Sequence, residues 1–192
     1  MNMYLIEKPL RYVLIDDFYD ESELKHITGE VSAFAPYAIS GSEDQTSSNG
    51  DKTGSGLRLD EMFIKNRHKS KVLSLNQKLF AEPIYSSAIT LDASFSHLKT
   101  CSSYSTFLNY YKNGEEYKPH FDGAALTAIT FLKFGEFTGG DFKFTDYDET
   151  VPIKHNRTVI FPSCVMHQST SIQSSDDSYK ASITQFLWYV TR

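Results

Sequence analysis

From Ser105 to the C terminus the chain is a series of short runs rich in aromatic and β-branched residues. The runs are Ser105 to Lys112, Leu126 to Phe134, Asp141 to Asp146, Arg157 to Phe161 and Lys180 to Thr191, each bounded by Gly, Pro, Asn or Asp. Such runs predict strands, because branched and aromatic side chains fit a pleated, half-buried surface and the bounding residues supply the turns. Many short strands joined this way predict two facing sheets: a jelly roll, or double-stranded β-helix, of the cupin-like kind. The fourteen Phe and twelve Tyr suit strands that bury large side chains.

The first hundred residues have a different texture. Arg11 to Ile15 predicts a strand, and Glu21 to Ser32 a helix, with Asp20 as its cap and Glu23 reaching back in a capping box. Residues 40–56 are rich in Ser and Gly and read either as a connector or as a lid over a site. A second helix is expected from Lys69 to Ala81, with Val72, Leu75 and Leu79 forming one apolar stripe before Pro83. The expected class is therefore mostly β with flanking helices (α+β). With 192 residues, 40% of them hydrophobic, and no repeat or linker, one domain is expected over 1–192: support from 1–100 and a jelly-roll core from about 101 to 192.

Charge narrows the possible partners. A net charge of −5 offers no basic footprint for nucleic acid or an anionic membrane surface. Two cysteines are too few for a disulfide framework, Met1 to Leu10 lacks the apolar run of a signal peptide, and no eighteen consecutive residues are apolar. A cytoplasmic protein is the expectation.

The chemistry gathers at His120-Phe121-Asp122 and at His167, forty-five residues beyond Asp122. In an extended segment residues i and i+2 point the same way, so His120 and Asp122 can reach one ion. Two imidazoles and one carboxylate on one face of a metal, with other positions open, form the facial triad used for Fe(II) oxygen chemistry. A lone His-x-Asp pair also fits a surface loop. Its setting is more specific: Asn109-Tyr110-Tyr111-Lys112-Asn113-Gly114 and Tyr117-Lys118-Pro119 lead into it, while Gly139-Gly140-Asp141-Phe142 and Val159-Ile160-Phe161-Pro162-Ser163 precede His167. On these residues the stretch from about Tyr104 to Trp188 resembles the prolyl 4-hydroxylase-like branch of the Fe(II)/2-oxoglutarate-dependent oxygenases.

The resemblance implies Fe(II) held by His120, Asp122 and His167, with 2-oxoglutarate and O2 as cosubstrates and ascorbate as an auxiliary reductant. It implies that Lys180 pairs with the far carboxylate of 2-oxoglutarate, where many related enzymes use arginine. Strand parity agrees, sending Lys180, Ser182, Thr184, Phe186 and Trp188 to one side. Lys180 follows His167 by thirteen positions, where the family spacing is about ten. The polar run Ser174-Ser175-Asp176-Asp177 accounts for the excess as a longer turn. Tyr111 matches the family's tyrosine at the same carboxylate, though a buried structural tyrosine explains it equally well. Phe186 stands where the family often has a tryptophan, and Thr130 and Ser182 are alternative hydroxyl donors.

His26, His68, His97 and His155 read as incidental. Cys164 imitates half of a zinc site but has no second half, and is expected to be a small buried thiol. The implied reaction hydroxylates a substrate C–H bond while 2-oxoglutarate becomes succinate. A prolyl residue in a peptide or protein is the expected substrate. The same chemistry on a small metabolite or free amino acid is the first alternative, and a non-catalytic cupin-like metal-binding module is the second.

Overall fold

The computed structural model describes residues 1–41, 51–101 and 103–188. Its strands in chain order are β1 (Asn2–Ile6), β2 (Tyr12–Asp16), β3 (Ile39–Ser40), β4 (Ser55–Arg58), β5 (Ser103–Tyr111), β6 (Tyr117–His120) and β7 (Leu126–Phe134). There follow β8 (Thr138–Gly139), β9 (Phe142–Phe144), β10 (Glu149–Val151), β11 (Arg157–Pro162), β12 (His167–Ser169), β13 (Ile172–Gln173) and β14 (Tyr179–Trp188). An eight-stranded antiparallel sheet runs β1-β2-β11-β7-β14-β5-β4-β3. A four-stranded sheet, β10-β9-β12-β6, and the pair β13-β8 complete the jelly roll. The expected fold class holds.

Alternation along the strands explains why the large sheet is covered on both faces. On β14, Ala181, Ile183 and Leu187 join Leu108 and Tyr110 of β5 and Leu126, Ala128 and Leu132 of β7 in one core beneath the helices. The opposite face of β7, Ile129 and Phe131, packs with Phe142 and Phe144 of β9 and with Phe161 in a second core between the sheets. Burying each of the leucine, isoleucine and phenylalanine side chains among them contributes roughly 1.5–3 kcal/mol.

Helix α1 (Glu21–Phe34) has the expected start. The Asp20 carboxylate accepts the Glu23 N–H at 2.8 Å, and the Asp20 N–H donates to the Glu23 side chain at 2.9 Å. Its Ile27 and Val31, one turn apart, reach the first core. The expected helix over Lys69 to Ala81 is instead three pieces: a 3-10 turn at Arg67–Lys69, α-helix Lys71–Leu75 and a 3-10 turn at Asn76–Phe80. Two buried polar residues break it. The Ser70 hydroxyl caps the middle piece by accepting the Leu73 N–H at 3.1 Å, and the Asn76 side chain is taken by the Tyr19 hydroxyl. The apolar stripe survives in part, with Val72 and Leu79 buried.

Other boundaries also shift. The run from Asp141 contributes only Phe142–Phe144 before a turn at Thr145–Tyr147, and the last strand is described to Trp188. The ends of the Ser/Gly-rich stretch pair as β3 and β4, with the Gly41 N–H donating to the Gly54 carbonyl at 2.7 Å; the proposed lid falls largely on residues 42–50, outside the described residues. Cys164 is exposed rather than buried, because it lies in the turn after β11. Among the described residues no helix is long and apolar enough to cross a membrane.

Candidate metal and cosubstrate site

His120 ends β6 and His167 opens β12, and the two are direct partners on adjacent antiparallel strands. Asp122 follows the end of β6, where its N–H donates to the Ser163 carbonyl at 2.9 Å. The three side chains offer ligand atoms that all lie within 4.8 Å of one another. His167 Nε2 is 3.4 Å from Asp122 Oδ2, and His120 Nε2 is 3.9 Å from Oδ1.

Each ring is aimed by its own backbone. His120 Nδ1 lies 2.7 Å from the Lys118 carbonyl and His167 Nδ1 2.8 Å from the Val165 carbonyl. A carbonyl only accepts, so the proton is on Nδ1 and the Nε2 lone pair faces the shared point. Tyr117 stacks on His120 with ring centroids 3.6 Å apart, while Phe142 and Phe161 pack against His167. Burial pulls both imidazoles down to about 4, so they are neutral and able to ligate at neutral pH. Burial pushes the Asp122 carboxyl up, partly offset by a hydrogen bond from the Thr127 hydroxyl at 2.7 Å. Ser163 in turn meets Thr127 at 2.8 Å. Two neutral imidazoles and a carboxylate that burial disfavours as a lone anion fit a divalent cation.

These groups open into a cavity of about 600 Å³, mouth included, between the two sheets. Its polar end is Lys180, only 1% exposed. The ammonium donates to the Gly140 carbonyl at 2.8 Å and to the Ser169 hydroxyl, and lies 4.7 Å from the centre of the Tyr111 ring. A Cβ at Gly140, whose φ is +73°, would lie 2.7 Å from Ile172 Cγ2, so a side chain there would disturb this close approach. Among the described residues no carboxylate lies within ion-pair distance of Lys180. Burial lowers its pKa to about 7. A buried ammonium with neutral partners is suited to receive an anion.

Tyr111 is the strand partner of Lys180 and, with Ser182 and Phe186, lines the cavity. Phe186 packs edge-on to Phe107 at 5.2 Å. Thr130 corrects the sequence reading. It lies between Ile129 and Phe131, both in the cavity wall, so strand alternation turns it to the other face, where it meets Thr158 at 2.7 Å. The sequence reading also missed Lys52, which is buried in the cavity wall and donates to Asn109 Oδ1 at 2.8 Å. No local pattern marks it, since it follows a polar stretch and reaches the site only through the isolated bridge between Lys52 and Tyr117.

Residues 105–188 match the family model of the 2OG-Fe(II) oxygenase superfamily. Among solved structures, the chain is similar to a Pseudomonas putida prolyl-4-hydroxylase, with 13% identity over 94% of this chain and 93% of that one and a TM-score of 0.58. It is similar to a Trichoplax adhaerens prolyl hydroxylase in complex with a hypoxia inducible factor peptide fragment (12%, 92% and 83% covered, TM-score 0.62). It is also similar to the non-heme alpha ketoglutarate dependent epimerase SnoN from nogalamycin biosynthesis (13%, 91% and 76% covered, TM-score 0.55). At these identities the likeness is one of fold. No curated protein sequence matches the chain.

Proposed function

We propose that this chain, whose residues 105–188 match the 2OG-Fe(II) oxygenase superfamily model, is such an oxygenase and hydroxylates a prolyl residue of a peptide or protein, with residues 1–192 acting as one oxygenase domain. The observation that carries the chemistry is the opening of the His120, Asp122 and His167 cluster into the cavity that ends at buried, anion-ready Lys180.

In this reading His120, Asp122 and His167 hold Fe(II). Lys180, supported by Tyr111 and Ser182, binds the far carboxylate of 2-oxoglutarate. The bound iron supplies the oxidation that couples conversion of 2-oxoglutarate and O2 to succinate and CO2 with oxygen insertion into a substrate C–H bond. The residues around it do the rest. The Lys118 and Val165 carbonyls keep both imidazoles in the ligating tautomer, and Thr127 holds the Asp122 carboxylate in place. Ile129, Phe131 and Phe142 exclude water between metal and anchor, which strengthens every charge interaction there. Phe107 and Phe186 confine the substrate C–H bond toward the metal end. Ascorbate is the expected auxiliary reductant.

The prolyl reading is supported by the likeness to two prolyl hydroxylases and by the exposed aromatic residues Phe121 and Trp188 beside the metal cluster. A proline-rich segment in polyproline II form offers ring C–H bonds without prior unfolding. The likeness to SnoN favours a second reading, the same chemistry on a small metabolite or free amino acid. The test is succinate formation in the presence of a panel of proline-rich peptides. The expected result is stimulated turnover with one oxygen atom gained on proline per succinate. Coupled turnover with free amino acids or other metabolites, and none with peptides, would replace the prolyl reading with the second.

A further inference from the structure

The polar wall of the cavity carries a chain of hydrogen bonds whose direction is fixed atom by atom. The Lys52 ammonium only donates, so the Asn109 atom 2.8 Å from it is the carbonyl oxygen Oδ1, and the amide nitrogen faces the other way. That nitrogen also only donates, to Thr184 Oγ1 at 3.1 Å and toward Ser182 Oγ at 3.5 Å. Thr184 is 6% exposed and lines the cavity. Its oxygen is engaged as an acceptor, and among the described residues its proton meets no acceptor. A hydroxyl held this way is left to donate into the cavity, where a ligand supplies the acceptor.

The strand ladder gives the level of that donor. Phe186 pairs with Thr127, whose hydroxyl holds the Asp122 carboxylate, and Ser182 pairs with Phe131. Thr184 lies between them opposite Ile129, one step of two residues, roughly 7 Å, from the metal level and one from Ser182. With the far carboxylate of 2-oxoglutarate at Lys180 and Ser182, the part that reaches the Thr184 level is the keto-acid end. A keto acid chelates a metal through its keto oxygen and one carboxylate oxygen, leaving the second carboxylate oxygen uncoordinated. In a cavity walled by Ile129, Phe131 and Phe142 that oxygen meets little water, and leaving it without a donor is costly.

We propose that Thr184 donates to this uncoordinated carboxylate oxygen of the keto acid, with Lys52 and Asn109 as positioning residues that turn its proton toward the ligand. The proposal rests on the oxygenase reading of the site and deepens it by giving the metal end of the cosubstrate a binding residue of its own, separate from the Lys180 anchor.

Titration of the full-length protein, loaded anaerobically with Fe(II), with 2-oxoglutarate tests this through the affinity and the wavelength of the keto acid's charge-transfer band. Thr184→Val keeps the shape and removes the hydroxyl. It should weaken 2-oxoglutarate binding about tenfold, as expected of a hydrogen bond to a charged group, and shift the band, while Fe(II) affinity stays at the wild-type value. Thr184→Ala should give the same pair of changes, and Thr184→Ser should keep both affinity and band near wild type. Lys52→Met, which frees the Asn109 amide to turn, should shift the band in the same direction by a smaller amount. Lys180→Ala should weaken binding and leave the band in place, because it acts at the far carboxylate. Wild-type affinity and band in Thr184→Val overturn the proposal. So does weakened binding with an unmoved band, which would place Thr184 with the far carboxylate, or weakened binding together with lost Fe(II), which would make its role structural. A Lys52→Met band identical to wild type removes the positioning role of Lys52 and Asn109. Wild type that binds no 2-oxoglutarate or shows no band would instead strike the oxygenase reading itself.

Discussion

Among single residues, Lys180 offers the sharpest test of the proposed cosubstrate site. If its ammonium pairs with the far carboxylate of 2-oxoglutarate in a mostly dry pocket, Lys180→Ala should cost about 3–5 kcal/mol of cosubstrate binding while metal binding survives. Unchanged 2-oxoglutarate affinity would remove Lys180 from the site. The sign of its proton linkage gives an independent check. Burial holds Lys180 near 7, and a bound dianion would favour its charged form. Binding at pH 8 should therefore take up most of a proton, and binding at pH 6 almost none, as read by calorimetry in buffers of different ionisation enthalpy. Uptake that does not change between these pH values would contradict the pairing. The convergence of His120 and Asp122 was legible because residues two apart in an extended segment share a side, and the placement of Lys180 on the cavity face because parity grouped it with Ser182 and Phe186. The same rule, applied to Leu126–Phe134, would have turned Thr130 away from the cavity. Lys52 was not legible, since its position depends on how a polar segment returns across β6.

At the scale of elements, stability depends on how the N-terminal strands join the jelly roll. Asp16 at the end of β2 accepts from Arg157 Nε at 2.6 Å and from Lys154 Nζ at 2.9 Å, tying β2 to β11 and the turn before it. The hydrogen bond from Arg157 leads in holding the Asp16 carboxyl down at about 2. A carboxyl lowered on folding contributes stability that is full above its unfolded value near 4 and is lost as pH falls through about 2. Asp16→Asn should therefore lower stability by on the order of 2 kcal/mol at pH 7, and the gap from wild type should close toward pH 2 in denaturant titrations. A gap independent of pH would mean that shape, not charge, ties these strands. The capping box of α1 was readable because both reciprocal partners lie within four residues. The helix expected over Lys69 to Ala81 broke because Ser70 and Asn76 are held by their own tertiary and capping bonds, which an apolar stripe does not reveal.

At the scale of the whole molecule, the strand runs after Tyr104 predicted two facing sheets because their boundaries and composition are local. The path that joins them is not local. β11 enters the large sheet between β2 and β7, and His167 meets His120 only because β12 pairs with β6. The cavity is a product of that path, with the metal cluster on the smaller sheet's side and Lys180 on the larger. In the proposed reaction these two ends bind iron and a keto acid together, which the visible spectrum of the anaerobic protein with Fe(II) and 2-oxoglutarate tests. The wild type should show the weak charge-transfer band of a keto acid chelated to iron, and His167→Ala should lose it along with metal affinity. Folded, iron-loaded wild type that binds 2-oxoglutarate without such a band would contradict the account and leave the fold with a metal site of another kind.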